Sequence, residues 1–220
     1  MAKQDTAQEH DSGLGIGGDI APTPLDPGKA EAWLTDLSKA AAAQDLARLG
    51  EFLGRGGPDV ARLGAVLDLS TYLNTQMLQH PEWLDALFDA PARERIAQRI
   101  GELRDMDVAE QGETALMATI RLIKREVSLL IALRDLFGAA SVKETTEDLS
   151  QLAEAAVATA LRFCLIAAHK SGKIVLPDPA DPEAGCGLFV LGMGKLGARE
   201  LNYSSDVDLI ILYDPERLKT

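Results

Sequence analysis

The chain has 220 residues, 46% of them hydrophobic and 25% charged, which suits one or two buried cores and calls for no fibrous, disulfide-stapled or disordered class. Its 34 acidic residues against 22 Lys and Arg set a formal net charge of -12, which repels nucleic-acid phosphates and anionic membranes and favours a protein or small-molecule partner. The two cysteines, Cys164 and Cys186, belong to no C-x-x-C and have no histidine pair nearby, which argues against a zinc site or a disulfide framework and fits a reducing, cytoplasmic setting.

Residues 1–29 are rich in Gly, Pro, Asp and Thr and show no apolar period, so they are expected to form a mobile leader. The opening lacks the basic start and apolar run of a signal peptide. No stretch of about 18 apolar residues follows, and no membrane partner is expected. His10, His80 and His169 stand in unrelated contexts and are given surface or capping roles.

From Ala30 the composition turns to Ala, Leu, Arg and Glu, and 30–175 reads as a helical region. Breaks fall at Gly54–Asp59, His80–Trp83, Asp89–Arg93 and Phe137–Asp148. The strongest helix starts at Glu113: Leu116, Ile120, Ile123, Val127, Leu130 and Phe137 keep helical spacing, and Gly138 supplies a stop. Arg134 lies on that apolar stripe. With Arg121 and Arg125 it is read as ion-paired, Glu126 and Asp135 being close in sequence, rather than aimed at a phosphate. A further helix is expected to begin at a Thr146 cap and to end at Lys170–Gly172, its apolar face serving as packing surface.

Residues 176–186, rich in Pro, Asp and Gly, read as a linker. Beyond them, in 187–220, "GLFVLGM" and "VDLIILY" have strand character. Two strands and one short helix do not make a stable sheet alone, so an α/β domain is expected to open here and to be cut off.

Between the strands, Gly192, Gly194 and Gly197 spell G-x-G-x-x-G, a dinucleotide-binding fingerprint, while Asp206 and Asp208 spell D-x-D. The dinucleotide reading has Asp214 near the place of a ribose-binding acid. Its crossover is marginal, however: a helix of about two turns, Lys195–Leu201, where a parallel connection needs roughly a dozen residues or more. It also leaves two carboxylates unexplained at the start of an apolar strand. Residues i and i+2 of a strand share a face, so Asp206 and Asp208 can converge on divalent metal. The glycine turn can then present backbone N–H groups to phosphate, which joins both signatures in one site.

A glycine-rich strand end, a short helix and Ser-Asp-x-Asp leading into a strand resemble the nucleotidyltransferase superfamily related to DNA polymerase beta. The longer string "LGMGKLGARELNYSSDVDLIILYD" resembles the glutamine synthetase adenylyltransferases, bifunctional enzymes that attach and remove AMP on a tyrosine of glutamine synthetase. Leu69–Phe88 and Arg125–Leu161 also resemble that family's helical N-terminal region, so the likeness covers most of 30–214. Ala198 departs from it, standing where a third tight glycine is usual. The uridylyltransferases of the PII signalling protein rank lower: they typically carry Arg and Pro where this chain has Lys195 and Asn202, and they lack the HPEWL segment.

The resemblance implies an α+β fold, with a mainly α-helical N-terminal region followed by the truncated start of a nucleotidyltransferase α/β domain with a mixed sheet over 187–220. The single preceding helical region and the spelling around Met193 and Asn202–Ser205 resemble the family's first catalytic copy, which removes AMP by phosphorolysis and releases ADP. Asp206 and Asp208 are then the catalytic metal ligands, with Mg2+ as cofactor. Gly192, Gly194, Lys195, Ser204 and Ser205 are the candidate nucleotide- and phosphate-binding residues, and Arg199 and Glu200 read as a solvated helix face. Asp214, roughly 20 Å along the strand, cannot complete the metal site. Glutamine synthetase, ATP or ADP, phosphate and the PII protein are the implied partners, with no nucleic acid. Alternatives are an NAD-binding Rossmann oxidoreductase and a non-catalytic helical docking module.

Overall fold

The computed structural model describes residues 14–218, which are helical as far as Lys170 and end in a two-stranded sheet, an α+β arrangement dominated by helix. The chain divides between Ala92 and Arg93 into two compact units, a boundary inside the stretch expected to be one helical region.

The first unit holds α1 (Pro27–Ala43), α2 (Ala47–Arg55), α3 (Pro58–Leu69), α4 (Thr71–Gln79), α5 (Glu82–Asp85) and a 3-10 turn (Ala86–Phe88). Helix α1 starts upstream of the expected Ala30 because Asp26 caps it: the carboxylate accepts the Gly28 and Lys29 N–H groups, and Pro27 fits the first turn. It packs on α2, α3 and α4, burying Leu37, Leu49, Leu63 and Met77. The described part of the expected leader is held down as well. Leu14 and Ile16 are buried, and the Gly15 carbonyl accepts the Ala92 N–H at 2.9 Å. An apolar pair spaced by two was hidden in a Gly-rich composition. Residues 1–13, with His10, lie outside the described residues. His80 stacks on Trp83 with ring centroids 4.1 Å apart, and its Nδ1 lies 2.9 Å from a Glu82 carboxylate oxygen.

The second unit is built on α6 (Ala92–Arg104, its first residue just across the boundary), α7 (Glu113–Leu136) and α8 (Val142–Lys170), with α8 packing back along α7. Leu116, Ile123, Val127, Leu130 and Phe137 are buried, as the helical spacing predicts. The polar joints are less legible. Glu126 is buried on α7 between two α6 cations: Arg95 Nε donates to it at 2.8 Å, and Arg99 Nε lies 2.8 Å from its other oxygen without the alignment of a hydrogen bond. Arg134 is ion-paired as expected, across helices to Asp148 of α8 at 3.0 Å.

Helix α8 begins before the expected Thr146. Ser141 accepts the Glu144 N–H while the Glu144 carboxylate accepts the Ser141 N–H at 2.9 Å, a reciprocal cap, and the Thr146 hydroxyl donates to Lys143 inside the helix. By length and mean hydropathy (1.5 over its most apolar 18 residues) α8 is the one helix among the described residues long and apolar enough to cross a membrane. Here the Thr159 hydroxyl lies 2.6 Å from the Leu103 carbonyl and Arg162 donates to that same oxygen, so the apolar helix is a packing surface fastened to α6.

The segment read as a linker contributes to a core: Leu176 and Cys186 are buried with Leu165 of α8, and Leu188 packs against them. From this anchor run β1 (Leu188–Gly192), the single-turn α9 (Gly194–Gly197) and β2 (Leu209–Tyr213). The strands are antiparallel, pairing Leu188 with Tyr213 and Gly192 with Leu209. Helix α9 stops at Gly197, short of the expected Leu201, because Arg199 adopts a left-handed φ of 58° that no helix continues through. A Cβ at Gly197 would overlap the Gly192 carbonyl oxygen, so the turn closes only around glycine.

Replacing Glu126 by Ala removes the buried carboxylate partner of Arg95 and one of the two carboxylate partners of Arg99, which keeps Glu102, and is expected to cost about 3 kcal/mol in urea unfolding. Gly101, inside α6 with open space around it, should stabilise by roughly 0.5–1 kcal/mol as Ala. Gly197→Ala should instead destabilise, and the same unfolding series compares the two. The Ser141 backbone N–H, then its hydroxyl, holds the Glu144 carboxyl below its ordinary range. Its stabilising contribution is therefore complete above the ordinary glutamate pKa and is lost as pH falls through the lowered folded value. Glu144→Gln should flatten the stability curve across that acid window, measured as urea midpoints against pH.

Candidate nucleotidyltransferase site

Two strand ends meet at the site. The register that pairs Gly192 with Leu209 sets the residue after β1 beside the residue before β2, and the Met193 N–H donates to the Asp208 carbonyl at 2.8 Å. Gly194 has φ 54°, and a Cβ there would lie 3.6 Å from Asp208 Oδ2, so the glycine turn stands against that carboxylate. The structure thus brings together Gly192, Gly194 and Asp208 from the two signatures. Asp206 precedes Asp208 by two residues in the irregular segment that leads into β2. Both are exposed, and among the described residues no hydrogen bond or ion pair engages either carboxylate.

Lys195 is exposed on α9, its Nζ 3.5 Å from the Ser205 hydroxyl, which also meets the Asn202 side chain. Ser204 is exposed in the turn before them. Asp214 sits at the opposite end of β2, where its N–H donates to the Gly187 carbonyl at 2.7 Å and its carboxylate accepts the Glu216 N–H. It takes no part in the site. Among the described residues no three His, Cys, Asp or Glu side chains gather to hold a metal ion. A divalent cation such as Mg2+ takes six oxygen ligands and keeps several waters, so two exposed carboxylates two residues apart fit part of its shell. A groove of about 550 Å3 opens beside the turn between Val157 and Leu161 of α8 and Leu188, Gly192 and Leu209 of the hairpin.

The antiparallel pairing corrects the dinucleotide alternative. A Rossmann unit needs two parallel strands joined by a crossover helix, whereas here the second strand returns beside the first after one helical turn.

The segment from Arg199 to Ser205 holds residues whose parts the sequence did not announce. Arg199, read as a solvated face, reaches Glu147 at 2.7 Å and Glu154 at 3.1 Å on α8. The Tyr203 hydroxyl donates to Asp135 of α7 at 3.0 Å, and burial, then the Asp135 charge, pushes the phenol well above its ordinary pKa. Leu201 is buried, and its N–H donates to the Ser150 hydroxyl. The one signal in the sequence was Leu201 itself, a single apolar residue among polar ones.

The family profile for glutamate-ammonia ligase adenylyltransferase matches residues 60–220. The chain is 43% identical over 194 residues to a bifunctional glutamine synthetase adenylyltransferase/adenylyl-removing enzyme of Mesorhizobium japonicum, covering 88% of this chain and 20% of that protein. The protein of the same description from Brucella suis biovar 1 is 43% identical over 195 residues, 88% of this chain and 20% of its own length. The one from Rhizobium meliloti is 39% identical over 205 residues, 90% of this chain and 20% of its own length. No solved structure matches the chain. The chain spans about one fifth of the length of these relatives. With its glycine turn and D-x-D joined in one antiparallel hairpin and the profile running through both, the chain belongs to the glutamate-ammonia ligase adenylyltransferase family.

Proposed function

We propose that this chain supplies the helical region and the first catalytic strands of a cytoplasmic, nucleotidyltransferase-type active site that removes AMP from an adenylylated tyrosine of glutamine synthetase. The observation that carries this reading is the placement of the Gly192–Gly194 turn against the Asp208 carboxylate, with Asp206 two residues before it and both carboxylates exposed and unengaged. Asp206 and Asp208 would hold Mg2+, which when bound neutralises charge on the transferred phosphoryl group.

The chain's own residues position the reactants. Gly192 and Gly194 let backbone approach a phosphate that side chains would block, and Lys195 and Ser205, 3.5 Å apart, offer a cation and a hydroxyl donor at the rim with Ser204 beside them. In the reaction an oxygen of inorganic phosphate bonds to the adenylyl phosphorus while the bond from that phosphorus to the tyrosine oxygen breaks. ADP leaves, and the tyrosine oxygen takes up a proton.

A second reading assigns the helical region to docking glutamine synthetase or the PII protein. It is favoured by an apolar groove of about 400 Å3 lined by Leu116 and Met117 of α7 and Phe163 and Cys164 of α8.

The test uses the protein at the full length of its relatives. Asp206→Asn and Asp208→Asn are each expected to abolish phosphate-dependent release of ADP from adenylylated glutamine synthetase while leaving the melting temperature unchanged, since each removes a charged metal ligand and keeps its shape. Turnover at the wild-type rate in either variant would remove the carboxylates from the chemistry. Deadenylylation that needs no phosphate would remove phosphorolysis.

A further inference from the structure

Asp206 and Asp208 lie just ahead of a strand that is held by its ladder to β1 and not by burial: all five residues of β2 are exposed. The segment that delivers the two carboxylates is nevertheless fastened, and to the helices. Glu147, Ser150 and Glu154 fall on one face of α8, at i, i+3 and i+7. They receive the Arg199 guanidinium through its two terminal nitrogens and the Leu201 N–H at 3.3 Å. Tyr203 adds the bond to Asp135 of α7 at 3.0 Å. Only Ser204 and Ser205 separate Tyr203 from Asp206.

Folding energy does not account for Arg199. With a φ of 58° it is the left-handed residue that ends α9, a place glycine takes more readily, and its two ion pairs are solvent-exposed, a setting in which such pairs stabilise little. An arginine where glycine would close the helix more readily, held by side-chain contacts beside a candidate active site, points to a role in positioning.

We infer that Arg199 and Tyr203 are positioning residues, a latch that fastens the D-x-D segment to α7 and α8 so that the helices set where Asp206 and Asp208 stand against the glycine turn. This rests on the functional reading above. The latch acts through the aspartates and touches no substrate. It also makes α7 and α8 part of the active site's geometry, since a shift of α8 would carry Glu147, Ser150 and Glu154, and with them the D-x-D segment.

The experiment uses the protein at the full length of its relatives and compares wild type with Arg199→Gly, Arg199→Lys and the pair Glu147→Gln with Glu154→Gln. Arg199→Gly removes the arginine arm of the latch and eases the left-handed turn, so it should melt at or above the wild-type temperature, and Tyr203→Phe, which removes the other arm, should lower kcat in the same direction. The kcat of Arg199→Gly for ADP release should nonetheless fall about tenfold with KM for adenylylated glutamine synthetase unchanged, and its affinity for Mn2+ alone, read by electron paramagnetic resonance, should weaken about tenfold. Arg199→Lys keeps the charge and should recover part of both. The Gln pair, which leaves the backbone alone, should match Arg199→Gly, and combining the two should add nothing further. Wild-type kcat and Mn2+ affinity in Arg199→Gly would overturn the latch while leaving the functional reading in place. A wild-type protein that neither binds Mn2+ nor releases ADP would overturn both.

Discussion

The hairpin ladder between β1 and β2 is the constraint on which the site depends. Side chains alternate faces along a strand, so a slip of one residue in the register would reverse every side chain of β2 relative to β1 and move Asp206 and Asp208 away from the glycine turn. The register is secured beyond the strands at both ends, by the Met193 N–H on the Asp208 carbonyl and the Asp214 N–H on the Gly187 carbonyl. Between them the ring closes through glycine, Gly197 packing so near the Gly192 carbonyl that no Cβ fits. The G-x-G-x-x-G spelling is thus met by the same close backbone approach that a dinucleotide turn needs, and the direction of the next strand is what separates the two folds.

The helices beneath are joined by two kinds of contact with different consequences. Apolar burial along α7 and α8 is non-directional and tolerates small shifts. The Glu126 pairs with Arg95 and Arg99, the Arg134 pair with Asp148 and the Thr159 and Arg162 contacts with the Leu103 carbonyl admit few geometries. They determine how α6, α7 and α8 lie against one another. Because Arg199, Leu201 and Tyr203 are bonded to α7 and α8, that arrangement reaches the segment that carries Asp206 and Asp208.

Periodicity made α7 legible almost to the residue, because its apolar positions repeat over many turns and one face is buried. The candidate site's string was legible because glycines and paired carboxylates are chemically distinctive at fixed spacing. What escaped were features decided by single contacts. The start of α8 depended on whether Ser141 or Thr146 capped it, and the reciprocal Ser141–Glu144 cap satisfies two N–H groups where Thr146 would satisfy one. The order at Leu14 and Ile16 rests on two side chains in a Gly-rich background, too few for a period. The partners of Arg134 and Arg199 lie on other elements, 14 residues away for Asp148 and 45 and 52 away for the two glutamates, and charge pattern alone does not choose among the chain's many carboxylates.

Charge supplies the remaining step. On a chain of formal net charge -12, Asp206 and Asp208 are unengaged carboxylates, while the nearby Arg199 is taken up by Glu147 and Glu154 and the cation left at the turn is the exposed Lys195. One lysine does not offset two carboxylates together with the several negative charges of an adenylyl group and an incoming phosphate, and like charges brought to within a few ångströms repel strongly once water is excluded. On the proposed reading, the site therefore becomes hospitable to its substrates only when divalent cation is held by Asp206 and Asp208. The glycine turn, which adds no charge of its own, offers close approach without adding to the repulsion.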